Sequence, residues 1–167
     1  MAKRLLVHLA RGAAAGAAGT TALNALTYLD MAVRGRPGSS TPQQTVERIA
    51  GAAGVAIPGD GEEYQHRLEG LGALLGLVAG VGSGAALGLL AATGPRPAPA
   101  TSVLLATGVA MLAGNLPMTA LGVTDPRRWP ASAWLADLGP HVGYGVVTAA
   151  TLRALERRRA RWPGRVR

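Results

Sequence analysis

From residue 70 to residue 95 the chain carries no charged side chain, and inside that stretch glycine stands at every fourth position: Gly72, Gly76, Gly80, Gly84 and Gly88. A helix of about 20 residues crosses a hydrocarbon core of about 30 Å. Glycine is tolerated there because no water competes for the backbone hydrogen bonds. The stretch therefore predicts a membrane-spanning helix over 70–93, and the glycine line predicts that another helix packs close against it, as in a glycine zipper. Each four-residue step turns about 400°, so the line drifts about 40° per step around the helix. One straight partner cannot follow it, which predicts contact with a second helix and makes this the most enclosed helix of a bundle.

Composition agrees with a bilayer. Hydrophobic residues make up 49% of the chain and charged residues 16%, yet phenylalanine is absent and aromatics reach only 4%. A water-soluble core built from Ala, Leu, Val and Gly packs poorly, whereas helices in lipid associate through small residues in close contact. A GC-rich genome would by itself favour Arg, Ala, Gly and Pro, but five glycines in unbroken register argue for packing. Cysteine is absent, which excludes disulfides, thiolate metal sites and a cysteine nucleophile.

Three further stretches are long enough to cross, over about 5–33, 101–123 and 131–152. The first is interrupted by Arg11, and a signal peptide is the rival reading. Its apolar run from Leu5 to Ala10 falls short of an h-region of about 7–15 residues, which favours a retained helix. The expected fold is all-α: one membrane domain over 1–167, a bundle of four transmembrane helices with a basic cytoplasmic tail at 153–167.

Charge sets the orientation, since cytoplasmic segments collect Lys and Arg. One side holds Lys3, Arg4, Arg11, Arg96 and the seven arginines from Arg153 to Arg167; the other holds Arg34, Arg36, Arg48, Arg67, Arg127 and Arg128. Both termini are therefore expected in the cytoplasm, in a multi-pass protein of a bacterial inner membrane. Trp129, Trp134 and Tyr28 would join the outer aromatic belt. Arg157, Arg158, Arg159 and Arg161 would meet anionic lipid head groups. Nucleic acid is not expected as a partner, because no aromatic interleaving or binding module accompanies the charge.

The connection between the first two spans has its own signal. Thr41 as N-cap, Pro42 at the first helical position and Gln44 beyond them predict a short helix, with Val46, Ile49, Ala50 and Ala53 on one face at the outer interface. The acidic residues Asp60, Glu62 and Glu63 are expected in water.

Ionisable residues inside a span are costly and point to function. Asp137, His141, Tyr144, Thr148 and Thr151 recur at helical spacing and share one face of the last span. Thr20, Asn24, Thr27 and Tyr28 align on the first span, and Asn115 lies just before Pro117 on the third. Asp137, His141, Tyr144, Asn24 and Asn115 form the candidate polar site, with Asp137 orienting or protonating His141 one turn away. Asp30 is read as a helix-end ion pair with Arg34, and His8 and His66 as solvated. No zinc, phosphate-loop or nucleophile-elbow signature is present, so neither a metal, a cofactor nor an enzymatic activity is expected.

The segment Pro140-His141-Val142-Gly143-Tyr144-Gly145 and the small-residue opening from Gly12 to Gly19 resemble the small bacterial inner-membrane proteins grouped with YagU. The resemblance implies an inner-membrane bundle of a few helices with a histidine and a glycine in a late span, and it adds no catalytic residue. The function expected from the residues is that of a structural or accessory membrane protein, self-associating through the zipper. A small transporter or channel for a proton, an ion or a polar solute, using the polar face of span four, is the alternative.

Overall fold

The computed structural model describes residues 1–94 and 97–161, with side chains to Arg157, and within them the fold is entirely helical. The helices are α1 (Ala2–Arg34), α2 (Thr41–Ala52), α3 (Gly61–Thr93), α4 (Pro99–Ala120) and α5 (Ala131–Arg161), with a 3-10 turn at Pro126–Arg128. Local chemistry explains their limits. Gly35 ends α1 in the left-handed region at φ 60°, where its N–H caps the Met31 carbonyl. Pro99 opens α4 at a position where a missing N–H costs nothing. α2 begins at Thr41, so its N-cap is Ser40, one residue earlier than the sequence suggests, and Gln44 donates to Ser40 Oγ at 2.9 Å.

Each long helix runs antiparallel to its neighbours. α1 packs between α3 and α5, α4 closes the ring against α5 and α3, and α2 lies over the first half of α3. One end of the bundle therefore carries α2 and the α4–α5 turn, and the other carries both chain ends.

Among the described residues, two helices, α3 and α4, are long and apolar enough to cross a membrane, with mean hydropathy of 2.0 and 1.5. α1 and α5 are long enough but not apolar enough. Arg11 and a glycine-rich stretch dilute α1, while Asp137, His141 and the arginines of its last turns dilute α5.

Small and polar residues occupy the interior. Among the described residues, the buried hydrophobic ones are Ala15, Leu68, Ala106, Ala110, Tyr144 and Ala149, of which only Leu68 and Tyr144 are large. Among the described residues, seven buried ones are polar or charged, including His8, Thr20, Ser83, Thr148 and Glu156. Large apolar side chains point outward instead, including Val78 (69% exposed), Leu104 (71%) and Leu135 (69%). This is the reverse of a water-soluble core, where Leu and Val are usually inside.

The glycine line of α3 meets a second line on α1. Gly12 lies against Gly88 and Gly84, Gly16 against Gly84 and Gly80, and Thr20 against Gly80. A Cβ added at Gly16 would sit 2.7 Å from the Gly80 carbonyl oxygen and 2.9 Å from Gly84 Cα, so only glycine lets these backbones touch. At Gly72 the partner changes to α2, whose Pro42 would stand 3.2 Å from an added Cβ. Four of the five zipper glycines are thus occupied within the chain. Gly76 departs from the expectation: nothing lies within 4 Å of its Cβ position.

α3 does not stand out as the most enclosed helix. Leu74 (56% exposed) and Val78 lie on its outside. α3 packs against α1, α2 and α4 and carries five buried residues, while α1 packs against α3 and α5 and carries six, so the two are enclosed to a similar degree.

Candidate functional site

The register that pairs Gly12 with Gly88, Gly16 with Gly84 and Thr20 with Gly80 would next pair Asn24 with Gly76. There the helices part. Tyr144 of α5 enters between them, fully buried, and its hydroxyl donates to the Gly80 carbonyl at 2.7 Å. Farther along, α2 holds α3 at Gly72. Between these two fixed points lies a cavity of about 590 Å³, lined by Thr20, Asn24 and Thr27 of α1, by Gly76 and Gly80 of α3, and by His141 and Tyr144 of α5. Its rim, at the end of the bundle bearing α2, includes the exposed residues Tyr28, Gly38, Ser39 and Glu69.

His141 is held from behind. Its Nδ1 lies 2.7 Å from the Asp137 carbonyl oxygen and 3.4 Å from Asp137 Oδ1. A carbonyl only accepts, so Nδ1 carries the proton of the shorter contact and Nε2 is left as the basic lone pair. Asp137 is itself anchored across the α4–α5 seam, where Asn115 Nδ2 donates to its Oδ2 at 3.0 Å. The order Asn115, Asp137, His141 fixes the imidazole as outer partners fix a working histidine elsewhere. Their side chains are mostly covered, with 14% of His141 and 21% of Asp137 exposed.

Of the five residues expected at a polar site, Asn24, His141 and Tyr144 line the cavity, while Asp137 and Asn115 stand behind His141. Thr148, on the same face of α5, is completely buried one turn below Tyr144. Sequence reasoning missed the rim residues Ser39 and Gln43, which the loop and α2 bring over the opening, and Glu69 of α3. Only the docking of α2 puts Ser39 and Gln43 there, whereas Glu69 was visible as the last charge before the apolar stretch.

The opposite end of the bundle corrects another expectation. His8 is not solvated: it is 8% exposed, with Nδ1 3.9 Å from Oε1 of Glu156, itself 5% exposed. His8, Gly12, Gly16 and Thr20 follow one another at steps of four, so the face that packs on α3 and α5 also turns the imidazole inward. Arg153 turns inward too, donating through Nη2 to the Pro97 carbonyl at 2.5 Å and to Ser102 Oγ at 2.9 Å. A second cavity of about 180 Å³ lies here, lined by Leu87, Ala91, Ala106, Thr148, Arg153 and Glu156 among others. Of the residues expected at lipid head groups, Arg157 is exposed, while the side chains of Arg158, Arg159 and Arg161 lie outside the described residues.

Around the α2 end, ion pairs sit in the connections. Asp30 pairs with Arg36 at 2.5 Å more closely than with Arg34 at 3.5 Å, because the chain turns back at Gly35. The Arg127 guanidinium, hydrogen-bonded to Asp125 in the α4–α5 turn, holds that carboxyl below the usual carboxylate range. The ring of Trp129 stands 5.1 Å from that of Trp134.

No family model matches this chain, and no curated protein or solved structure is significantly similar to it.

Proposed function

We propose that this chain is an integral inner-membrane protein in which α1, α3, α4 and α5 all cross the bilayer with both termini cytoplasmic, and that it binds and passes a small polar solute through the cavity between α1, α3 and α5. A mostly apolar cavity with Thr20, Asn24, Thr27, His141 and Tyr144 converging on its wall is the observation that carries this reading. Its outward-facing rim, the fixed imidazole and the hydroxyl and amide groups of Thr20, Thr27 and Asn24 suit a solute that exchanges hydrogen bonds with water for hydrogen bonds with protein.

The membrane setting is supported by the large apolar side chains on the outside. α1 and α5 cross, in this reading, by turning their polar faces towards each other and their apolar faces to lipid. The basic residues at the end with both termini support the orientation, and the exposed Arg157 begins a tail suited to anionic lipid.

Because the chain has no cysteine, single thiols report access cleanly. Asn24→Cys and Thr27→Cys should react with a membrane-impermeant maleimide added to the outer face of right-side-out vesicles, and Ala15→Cys should not. Proteoliposomes should swell in isotonic glycerol or urea faster than protein-free liposomes. An Asn24→Cys thiol that stays unreactive while Tyr28→Cys labels would mean a sealed interior and would end the proposal.

A further inference from the structure

The face of α5 that begins with Asp137 does not stop at Thr148. Asp137, His141, Tyr144, Thr148 and Glu156 follow at steps of four, three, four and twice four, so one stripe carries ionisable or hydroxyl groups along most of the helix. The stripe touches both cavities. His141 and Tyr144 line the outer one, Thr148 and Glu156 the inner one. What separates the cavities along this stripe is the Tyr144 ring and the turn between it and Thr148, about 6 Å of helix.

That constriction is polar. The Tyr144 hydroxyl is engaged with the Gly80 carbonyl. Thr148 Oγ1 and Thr107 Oγ1, both buried, have no hydrogen-bond partner among the described residues. A buried hydroxyl without a partner is destabilising unless a water satisfies it. Glycine makes the room: a Cβ at Gly19 would lie 2.8 Å from the Tyr144 ring, and one at Gly145 would lie 2.8 Å from the Val103 carbonyl.

Each end of the stripe holds a carboxylate beside an imidazole. At the outer end are Asp137 and His141, faced by Asn115 of α4, Asn24 of α1 and, at the rim, Glu69 of α3. At the inner end are Glu156 and His8, with Arg153 one turn earlier on α5 and Arg4 and Arg11 on α1 either side of His8. A buried carboxylate inside a membrane bundle is costly, and such groups belong to ion and proton paths more than to structure.

From this arrangement we infer that the stripe is a proton path joining the two cavities, with Glu156 as its inner proton-exchange group; the inference rests on the solute-cavity reading. A proton from the outer water adds to His141 Nε2. It moves on through water and the hydroxyls of Tyr144 and Thr148, each oxygen accepting one proton and releasing another. Glu156 takes up the proton and releases it to the inner water. One proton crosses, and every group returns to its starting state.

The full chain in liposomes loaded with a pH-sensitive dye, with a potassium gradient and valinomycin to set the potential, reads this directly. The expected result is acidification faster than in protein-free liposomes, falling to the protein-free rate in Glu156→Gln and slowed in Tyr144→Phe. Phe keeps the ring that fills the constriction and removes only the hydroxyl, so a folded, monodisperse Tyr144→Phe protein guards against trivial unfolding. Protein-free rates for the native chain, or native rates in both variants, would overturn the path. If the Asn24→Cys thiol labels from outside in the same preparation, that failure belongs to the proton path alone and leaves the solute cavity standing.

Discussion

The two halves of the α1–α3 seam differ in what one register does. Towards the chain ends, Gly12 and Gly16 meet Gly88, Gly84 and Gly80 with backbones in contact; towards α2, the same spacing offers Asn24 and Gly76, and there the seam opens into the cavity. The glycine line is continuous through both halves, so glycine spacing permits close approach without compelling it. What decides is the third body: Tyr144 enters at Gly80 and Pro42 props the helix at Gly72, so the drift of the line is taken up as a space and not as a contact.

The largest effect is expected from attacking the closed half. Gly84→Leu would drive a side chain into the Gly12 carbonyl and the Gly16 backbone, which cannot yield, and should cost about 3 kcal/mol, the upper end of the overpacking range. Gly76→Leu points into open space and should leave the thermal midpoint in detergent nearly unchanged. Equal losses at the two positions would break the contrast between the halves. Gly80→Leu with Gly84→Leu should be worse than either alone.

A smaller effect is expected at the boundary. Tyr144→Phe removes the hydrogen bond to Gly80 and should lower stability by about 1 kcal/mol, read from the same melting curves. A loss several times larger would mean that the hydroxyl, and not the ring, holds the halves apart.

Within the open half, Asn115→Ala should barely change stability, since it removes one partly buried bond to Asp137. It should instead free the His141 ring, broadening its NMR signals; sharp, unshifted signals would show that the backbone contact at Asp137 suffices. The smallest effect concerns acid at the α4–α5 turn. The folded pKa of Asp125 is depressed by Arg127, so its contribution is full above the ordinary carboxylate pKa and is lost as pH falls through the depressed one. Asp125→Asn should flatten only that acid limb of the stability profile, and a change near neutral pH would contradict the assignment.

Much of the fold could be read from the residues. The uncharged stretch after Glu69 marks α3, and the helical spacing from Asp137 to Thr148 places one polar face on α5. The partner of the glycine line was harder to see. His8, Gly12, Gly16 and Thr20 keep the same four-residue step on α1, but Arg11 and low hydropathy obscure that helix, and a lone line of small residues does not say which helix it meets. His8 and Glu156 were invisible as a pair because 148 residues separate them and either alone reads as a solvated end.

By itself the sequence determined the helical periods, the turn positions and the faces that carry glycine or polar groups, because these follow from local geometry and the 3.6-residue repeat. The tertiary structure alone decided that α1 packs against both α3 and α5, that Gly76 opens onto a cavity while Gly84 touches backbone, and that Arg153 and Glu156 turn inward. Those outcomes depend on a third helix meeting a pair already in register, and no spacing along one chain segment encodes where that third contact falls.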